Sequence, residues 1–295
     1  MIRITEVGPR DGLQNEPGRV PAAAKVELIR DLAAAGLKRI EAGAFVSPKW
    51  VPQMADSAEV LGAVRDLEVA LPMLVPNPQG LQAAKAAGAK EIAVFLAASE
   101  SFSRRNINCG IEESLERTAS VIKEADGIRV RGYLSCVLGC PYEGEIAPSA
   151  VVKLAEKLTE LGCFEISLGD TIGVGTPAKA KALVKDVAAA IGKERVALHF
   201  HDTYGQALAN VLACLDLGVT GVDSSVAGLG GCPYAKGASG NLATEDLVYM
   251  LNGLGVETGV SIDKLAAAGR DICKQLGKAP TSKVAQALAA KLSEA

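Results

Sequence analysis

Short apolar runs alternate with amphipathic stretches at a spacing of about 30 residues, the size of one strand–helix–strand unit. Runs near 2–7, 39–43, 69–75, 91–96, 130–137, 164–168, 196–201 and 221–226 read as strands. Between them, 22–35, 78–87, 112–125, 149–161, 178–191 and 206–217 carry apolar residues at helical spacing. Five of these end at a glycine, as a helix stop should: Gly36, Gly88, Gly162, Gly192 and Gly218. The stretch 46–65 is less regular. Strands that are apolar throughout are buried on both faces, as in parallel sheets. Eight such units in roughly 250 residues predict an α/β fold, a (β/α)8 TIM barrel.

The competing architecture is an open doubly wound sheet, supported by Gly173-Val-Gly-Thr-Pro-Ala178, which matches a dinucleotide-binding pattern. That motif belongs after a first strand, with an acidic residue ending the next one. Here it follows the sixth strand and no such acid follows, so a dinucleotide site is not expected. Past the eighth unit, 245–253, 262–277 and 284–292 read as helices that cap the barrel or form a dimer contact. No linker or low-complexity tract divides the chain. The expectation is a single barrel domain over 1–295, with a lid loop at 228–241 and C-terminal helices within 262–295.

Composition narrows the function. The chain has 295 residues, 49% of them hydrophobic, enough for a large core. Its net charge of −3 offers no basic excess for nucleic acid. No apolar run approaches the roughly 20 residues that span a bilayer. The first residues read as a strand, without signal-peptide or transit-peptide character, so a cytoplasmic protein is expected. Cysteines 109, 136, 140, 163, 214, 232 and 273 are odd in number and lack C-x-x-C spacing, which suits reduced thiols, mostly in the core.

The only two histidines are His199 and His201. In a strand, residues two apart point the same way, so both imidazoles face one side at the end of the seventh run. They are either metal ligands or imidazoles satisfied by hydrogen bonds. Barrel enzymes place their chemistry at C-terminal strand ends. The polar residues there are Arg10, Asp11 and Gln14 after strand one, Glu41 at strand two, Tyr133 on strand five, Ser167, Asp170 and Thr171 at strand six, and Cys232 and Asn241 after strand eight. Asp11 is the carboxylate to join the histidines, or a turn residue before Gly12. Asn241 is a neutral oxygen ligand, or the N-cap of a helix over 242–253. Such mixed ligands with open positions suit Mg²⁺ or Mn²⁺, histidine favouring Mn²⁺. Arg10 can hold a developing oxyanion, or simply pair with Asp11 or Glu41. Glu41 either pairs with Arg10 or orients a metal-bound group, and Asp170 is a turn residue or a polar support. Cys232, in a Gly-rich stretch, is a lid thiol able to move a proton, a buried linker cysteine, or part of a phosphate-cradling loop.

Gly8-Pro-Arg-Asp-Gly-Leu-Gln-Asn-Glu16, Ser47-Pro-Lys-Trp-Val-Pro-Gln-Met-Ala-Asp56, Asn106-Ile-Asn-Cys109, Gly169-Asp-Thr-Ile-Gly-Val-Gly-Thr-Pro177, His199-Phe-His-Asp-Thr-Tyr-Gly205 and the segment 228–245 closely resemble the 3-hydroxy-3-methylglutaryl-CoA lyase family. The likeness runs over nearly the whole chain. The Gly-Gly-Cys-Pro-Tyr-Ala run and the segment 47–56 are its specific parts, whereas Arg-Asp and His-x-His are shared with related Claisen-type metalloenzymes. The resemblance implies cleavage of (S)-3-hydroxy-3-methylglutaryl-CoA to acetyl-CoA and acetoacetate, a step of leucine breakdown and ketone-body formation. It implies an acyl-CoA substrate, a divalent metal and a homodimer. By position, Asp11, His199, His201 and Asn241 resemble the metal ligands, Arg10 the catalytic cation and Cys232 the lid thiol. Glu41, Asp170 and Glu245 are similar to supporting acids, and Gln14, Tyr133, Ser167 and Thr171 to substrate neighbours. The base in such chemistry is Asp11 or a water on the metal. Lys49, Lys236 and the Arg104–Arg105 pair are candidates for the CoA phosphates. The rivals are a condensing enzyme of the same superfamily, a lyase for a related hydroxyacyl-CoA, and a non-catalytic scaffold barrel.

Overall fold

A computed structural model describes residues 2–231 and 240–293. Eight parallel strands form one sheet: β1 (Arg3–Glu6), β2 (Gly43–Ala44), β3 (Met73–Leu74), β4 (Glu91–Ala97), β5 (Arg129–Ser135), β6 (Glu165–Asp170), β7 (Val196–Phe200) and β8 (Gly221–Ser224). Neighbours run β1-β8-β7-β6-β5-β4-β3-β2. The bridge between Glu6 and Ile40 brings the two ends together, through the Glu6 amide on the Arg39 carbonyl (3.0 Å) and the Glu41 amide on the Glu6 carbonyl (2.8 Å). This is the expected barrel architecture.

The helices are α1 (Ala22–Ala34), α2 (Ser57–Val64), α3 (Pro78–Ala86), α4 (Glu100–Ile107), α5 (Ile111–Glu124), α6 (Pro148–Leu161), α7 (Pro177–Ile191), α8 (Ala207–Leu215), α9 (Thr244–Gly253), α10 (Ile262–Leu276) and α11 (Lys283–Ser293). Strands β6 and β7 are buried along their whole length, as runs covered on both faces must be. Gly162 ends α6 at φ 112°, ψ 12°, a conformation that costs a residue with a Cβ. Helix α10 packs on α1 and α9, and α11 on α9 and α10.

Three expectations need correcting. Strands β2 and β3 are far shorter than 39–43 and 69–75, with single bridges before them at Arg39, Ile40 and Ala70. Pro72 lies within the third run and has no N–H for a ladder, which limits β3. The stretch 46–65 is ordered by a short helical turn (Pro52–Met54) and α2, and α4 occupies a segment to which the sequence pattern assigned no element. The dinucleotide-like loop has its donors occupied from within. The amides of Val174 and Gly175 donate to the Asp170 carboxylate at 3.2 and 2.8 Å.

Candidate active site

The site is assembled from backbone geometry at the strand ends. After β1 the chain tightens into one wide turn, Gly8–Gly12, in which the amides of Arg10, Asp11 and Gly12 all approach the Val7 carbonyl (3.2, 2.8 and 3.1 Å). Pro9 starts this turn without losing a donor it needs. The turn presents Arg10 and Asp11 side by side. On β7 the two imidazoles share a face as the spacing predicts, their centroids 5.4 Å apart. Residues 240–242 then lie beside the end of β7. The Asp202 amide donates to Gly240 and the Leu242 amide to Phe200, which pairs His201 with Asn241. Asn241 is therefore not a helix cap. Helix α9 starts at Thr244, and the Asn241 amide donates to Asp11 Oδ2 (2.8 Å) and the Leu229 carbonyl (3.2 Å).

One ligand atom from each of Asp11, His199 and His201 lies within 4.8 Å of the others. Burial opposes ionisation of Asp11, but Arg10 with both histidines outweighs it and lowers its carboxyl to about 2. Burial, aided by the neighbouring His199, lowers the His201 imidazole to about 4. At neutral pH the cluster thus offers an anionic oxygen and at least one neutral imidazole, the forms that bind cations. Among the described residues His201 Nδ1 is buried without a hydrogen-bond partner, which argues against a merely satisfied histidine. This donor set fits a divalent cation.

Arg10 is clamped. Its Nε donates to Glu41 Oε2 (2.8 Å) and its Nη1 to Asp11 Oδ1 (2.7 Å). Desolvation works against its charge, yet the two carboxylates keep the guanidinium firmly protonated. Glu41 is buried behind it and also accepts the Tyr133 hydroxyl at 3.1 Å. Burial raises the Glu41 carboxyl despite Arg10. Arg10, Asp11, Gln14, Tyr133, Ser167, Thr171, His199 and His201 line one cavity of about 830 Å³, which Trp50, Arg104, Arg105 and Arg117 also line.

A family model described as HMGL-like matches residues 1–272. The chain belongs to the HMGL-like family. A mitochondrial hydroxymethylglutaryl-CoA lyase of Bos taurus is 60% identical over 289 residues, covering 97% of this chain and 89% of the relative. A 3-hydroxy-3-isohexenylglutaryl-CoA/hydroxy-methylglutaryl-CoA lyase of Pseudomonas aeruginosa is 57% identical over 293 residues, 98% of each chain. The solved structure of an HMG-CoA lyase from Acinetobacter baumannii, in complex with coenzyme A and 3-methylmalate, superposes with a TM-score of 0.93 at 38% identity. It covers 97% of this chain and 95% of its own.

Several expected residues of this HMGL-like chain sit outside the cavity. Asp170 and Glu245 are supports rather than lining. Asp170 holds the loop after β6, its carboxyl raised by burial to about 6. Glu245 accepts the Ala227 amide (2.9 Å) and is raised by burial to about 8. Arg104 and Arg105 reach the cavity and Lys49 does not. Cys232 and Lys236 lie outside the described residues. The other six cysteines are buried. Sequence reasoning missed Asp223, Arg131 and Lys25. Asp223 bonds His199 Nδ1 at 3.1 Å, and Arg131 holds Asp223. Lys25, 2% exposed, pins Asp56 (2.6 Å) and the Gln53 carbonyl. For Asp223 and Arg131 the signal was a charge inside an apolar strand run. For Lys25 there was none, because a lysine on an amphipathic helix reads as solvent-facing.

Proposed function

We propose that this protein cleaves (S)-3-hydroxy-3-methylglutaryl-CoA to acetyl-CoA and acetoacetate. The observation that carries the reading is the cluster of Asp11, His199 and His201 beside a buried, doubly clamped Arg10, all on one cavity. The same cavity suits a CoA thioester by virtue of Arg104, Arg105 and Arg117 in its lining. Asp11, His199, His201 and Asn241 are the proposed holders of Mg²⁺ or Mn²⁺. A cation bound there would acidify the substrate's tertiary hydroxyl and fix its position.

The remaining work falls to side chains. Arg10 is preorganised by Glu41 and Asp11, so its charge meets the developing enolate oxygen without reorganisation. Glu41 acts through Arg10, and Tyr133 keeps Glu41 in place. With its carboxyl near 2, Asp11 is a weak base and serves chiefly as an anionic ligand. Cys232 is the proposed acid that protonates the enolate carbon of nascent acetyl-CoA. Gln14, Ser167 and Thr171 are the proposed substrate neighbours, and Asp170 and Glu245 the supporting acids.

The dual name of the Pseudomonas relative favours a second reading, in which longer 3-alkyl groups are also accepted. Val46, Leu74, Phe95 and Leu134 give the cavity an apolar wall for such a chain. We further propose a homodimer, as the sequence likeness implies, and a cytoplasmic location; light scattering and cell fractionation test the two. Among the described residues no helix is long and apolar enough to cross a membrane.

The deciding assay incubates purified protein and Mn²⁺ with 3-hydroxy-3-methylglutaryl-CoA and identifies products. Acetyl-CoA and acetoacetate in equal amounts support the proposal. No cleavage, with condensation of acetyl-CoA and a 2-oxo acid instead, overturns it. The 3-isohexenyl substrate run in parallel decides the second reading.

A further inference from the structure

We propose that Asp223 is a positioning residue for the metal centre, one that fixes which nitrogen of His199 is offered to the cation. The inference rests on the metal-site reading above. Asp223 and His199 are partners across the parallel β7–β8 ladder, so their side chains leave the sheet on one face at one level. His199 Nδ1 lies 3.1 Å from Asp223 Oδ2, while Nε2 faces Asp11 Oδ2 at 3.8 Å. A carboxylate accepts hydrogen bonds and a neutral imidazole carries one N–H, so Asp223 draws that proton to Nδ1. The Nε2 lone pair is left pointing at Asp11. Metal-binding histidines are commonly held this way by a carboxylate on their far nitrogen.

What makes Asp223 a fixed reference is the barrel interior. Arg131 grips it with two parallel bonds, Nη1 to Oδ2 at 2.9 Å and Nη2 to Oδ1 at 2.7 Å, and the Ser167 hydroxyl adds a third at 2.7 Å. Arg131 is in turn tied by its Nε to Glu165, its own ladder partner on β6 (2.7 Å). Glu165 is held by Arg3 at 2.8 Å. Asp223 and Arg131 are 2% and 1% exposed. The column runs from β1 at its base through β5, β6 and β8 to the imidazole, and it leaves the Asp223 carboxylate little room to turn.

The chain has only two histidines, which makes a direct test practical. In protein labelled with ¹⁵N-histidine, metal-free at pH 8, the His199 ring should carry its proton on Nδ1. A His201→Gln variant assigns the signals. Substoichiometric Mn²⁺ should broaden both rings of the wild type. Asp223→Asn has one neutral acceptor oxygen for the hydrogens of Arg131, Ser167 and His199, so the Nδ1 proton loses its fixed carboxylate partner and the His199 tautomer is released. Its Mn²⁺ dissociation constant should rise by about 10–100-fold while far-ultraviolet circular dichroism is unchanged. A wild-type His199 protonated on Nε2, or an Asp223→Asn protein with wild-type Mn²⁺ affinity, overturns the inference. Should Asp223→Asn fail to fold, the wild-type tautomer alone decides. If Mn²⁺ broadens neither wild-type ring, the metal-site reading fails and takes this inference with it. Wild-type binding with an unaffected variant sinks only the role of Asp223.

Discussion

Replacing Lys25 by Met tests whether the wall of the cavity is held by a buried ion pair. Lys25 lies in the first turn of α1 with its ammonium on Asp56 Oδ1 at 2.6 Å and on the Gln53 carbonyl. Gln53 in turn accepts the Val20 amide (3.0 Å) and donates to the Leu13 and Gly18 carbonyls (3.2 and 3.0 Å). The pair therefore fastens the segment carrying Ser47, Trp50 and Val51 to the chain that follows Asp11. Met fills the same space, so no cavity cost enters. The loss is one charge-assisted pair, leaving a carboxylate 10% exposed without its cation. Breaking a buried pair from one side costs about 3–5 kcal/mol, and the residual exposure of Asp56 brings this to about 3 kcal/mol. At roughly 2–4 °C per kcal/mol for a chain of this size, the melting temperature should fall by about 6–12 °C. The KM for the acyl-CoA should rise while kcat changes little, because the chemistry lies elsewhere. Urea melts and steady-state kinetics read both. Lys25→Met/Asp56→Asn should recover at least half of the stability. A loss under about 0.5 kcal/mol, or a double variant no better than the single, would refute the reasoning.

Arg10→Met should lower kcat by about 10²–10³-fold with little change in KM, since it removes a charge aimed at the enolate; stopped-flow detection of acetyl-CoA checks this. Gly173→Ala should cost about 1–2 kcal/mol for its φ of +65°. Its Cβ would also stand 2.8 Å from the His201 carbonyl, so Mn²⁺ affinity, measured by titration, should drop with it. Burial raises Glu245 to about 8 from an ordinary 4.5. A raised carboxyl contributes stability that is full below about pH 4.5 and is lost as pH climbs through 8. Glu245→Gln, which keeps an acceptor for Ala227, should therefore gain on wild type by about 4 kcal/mol between pH 5 and pH 9 in paired urea melts; parallel curves would contradict this.

The barrel was legible because its strands are buried on both faces and read as uninterrupted apolar runs. Strand ends were legible only where the ladder is long. Around Pro72 the run stays apolar while the ladder loses the donor that proline lacks, and composition does not see that difference. Helix α4 escaped because Glu100-Ser-Phe-Ser-Arg-Arg-Asn-Ile107 has few apolar residues, although Ser99 caps it by accepting the Phe102 amide (3.1 Å). Of the site, the histidine pair could be read from period two, whereas the nearness of Asp11 could be inferred only from the rule that barrel strands end at one mouth. Asn241 had two readings, and the backbone pairing of 240–242 with the end of β7 removed the helix-cap one. Asp223 and Arg131 stayed unread because an apolar strand pattern says nothing of charges that neutralise each other inside a barrel.

The central claim is that Asp11, His199 and His201 together hold a divalent cation on which carbon–carbon cleavage depends. Acetyl-CoA release from 3-hydroxy-3-methylglutaryl-CoA, followed after chelation and again after adding Mn²⁺, tests it most directly in wild type and His201→Ala. The account predicts that chelated wild type is inactive and recovers with Mn²⁺, while His201→Ala recovers little at the same concentration. Full turnover in chelated wild type, or equal recovery in both proteins, would contradict it.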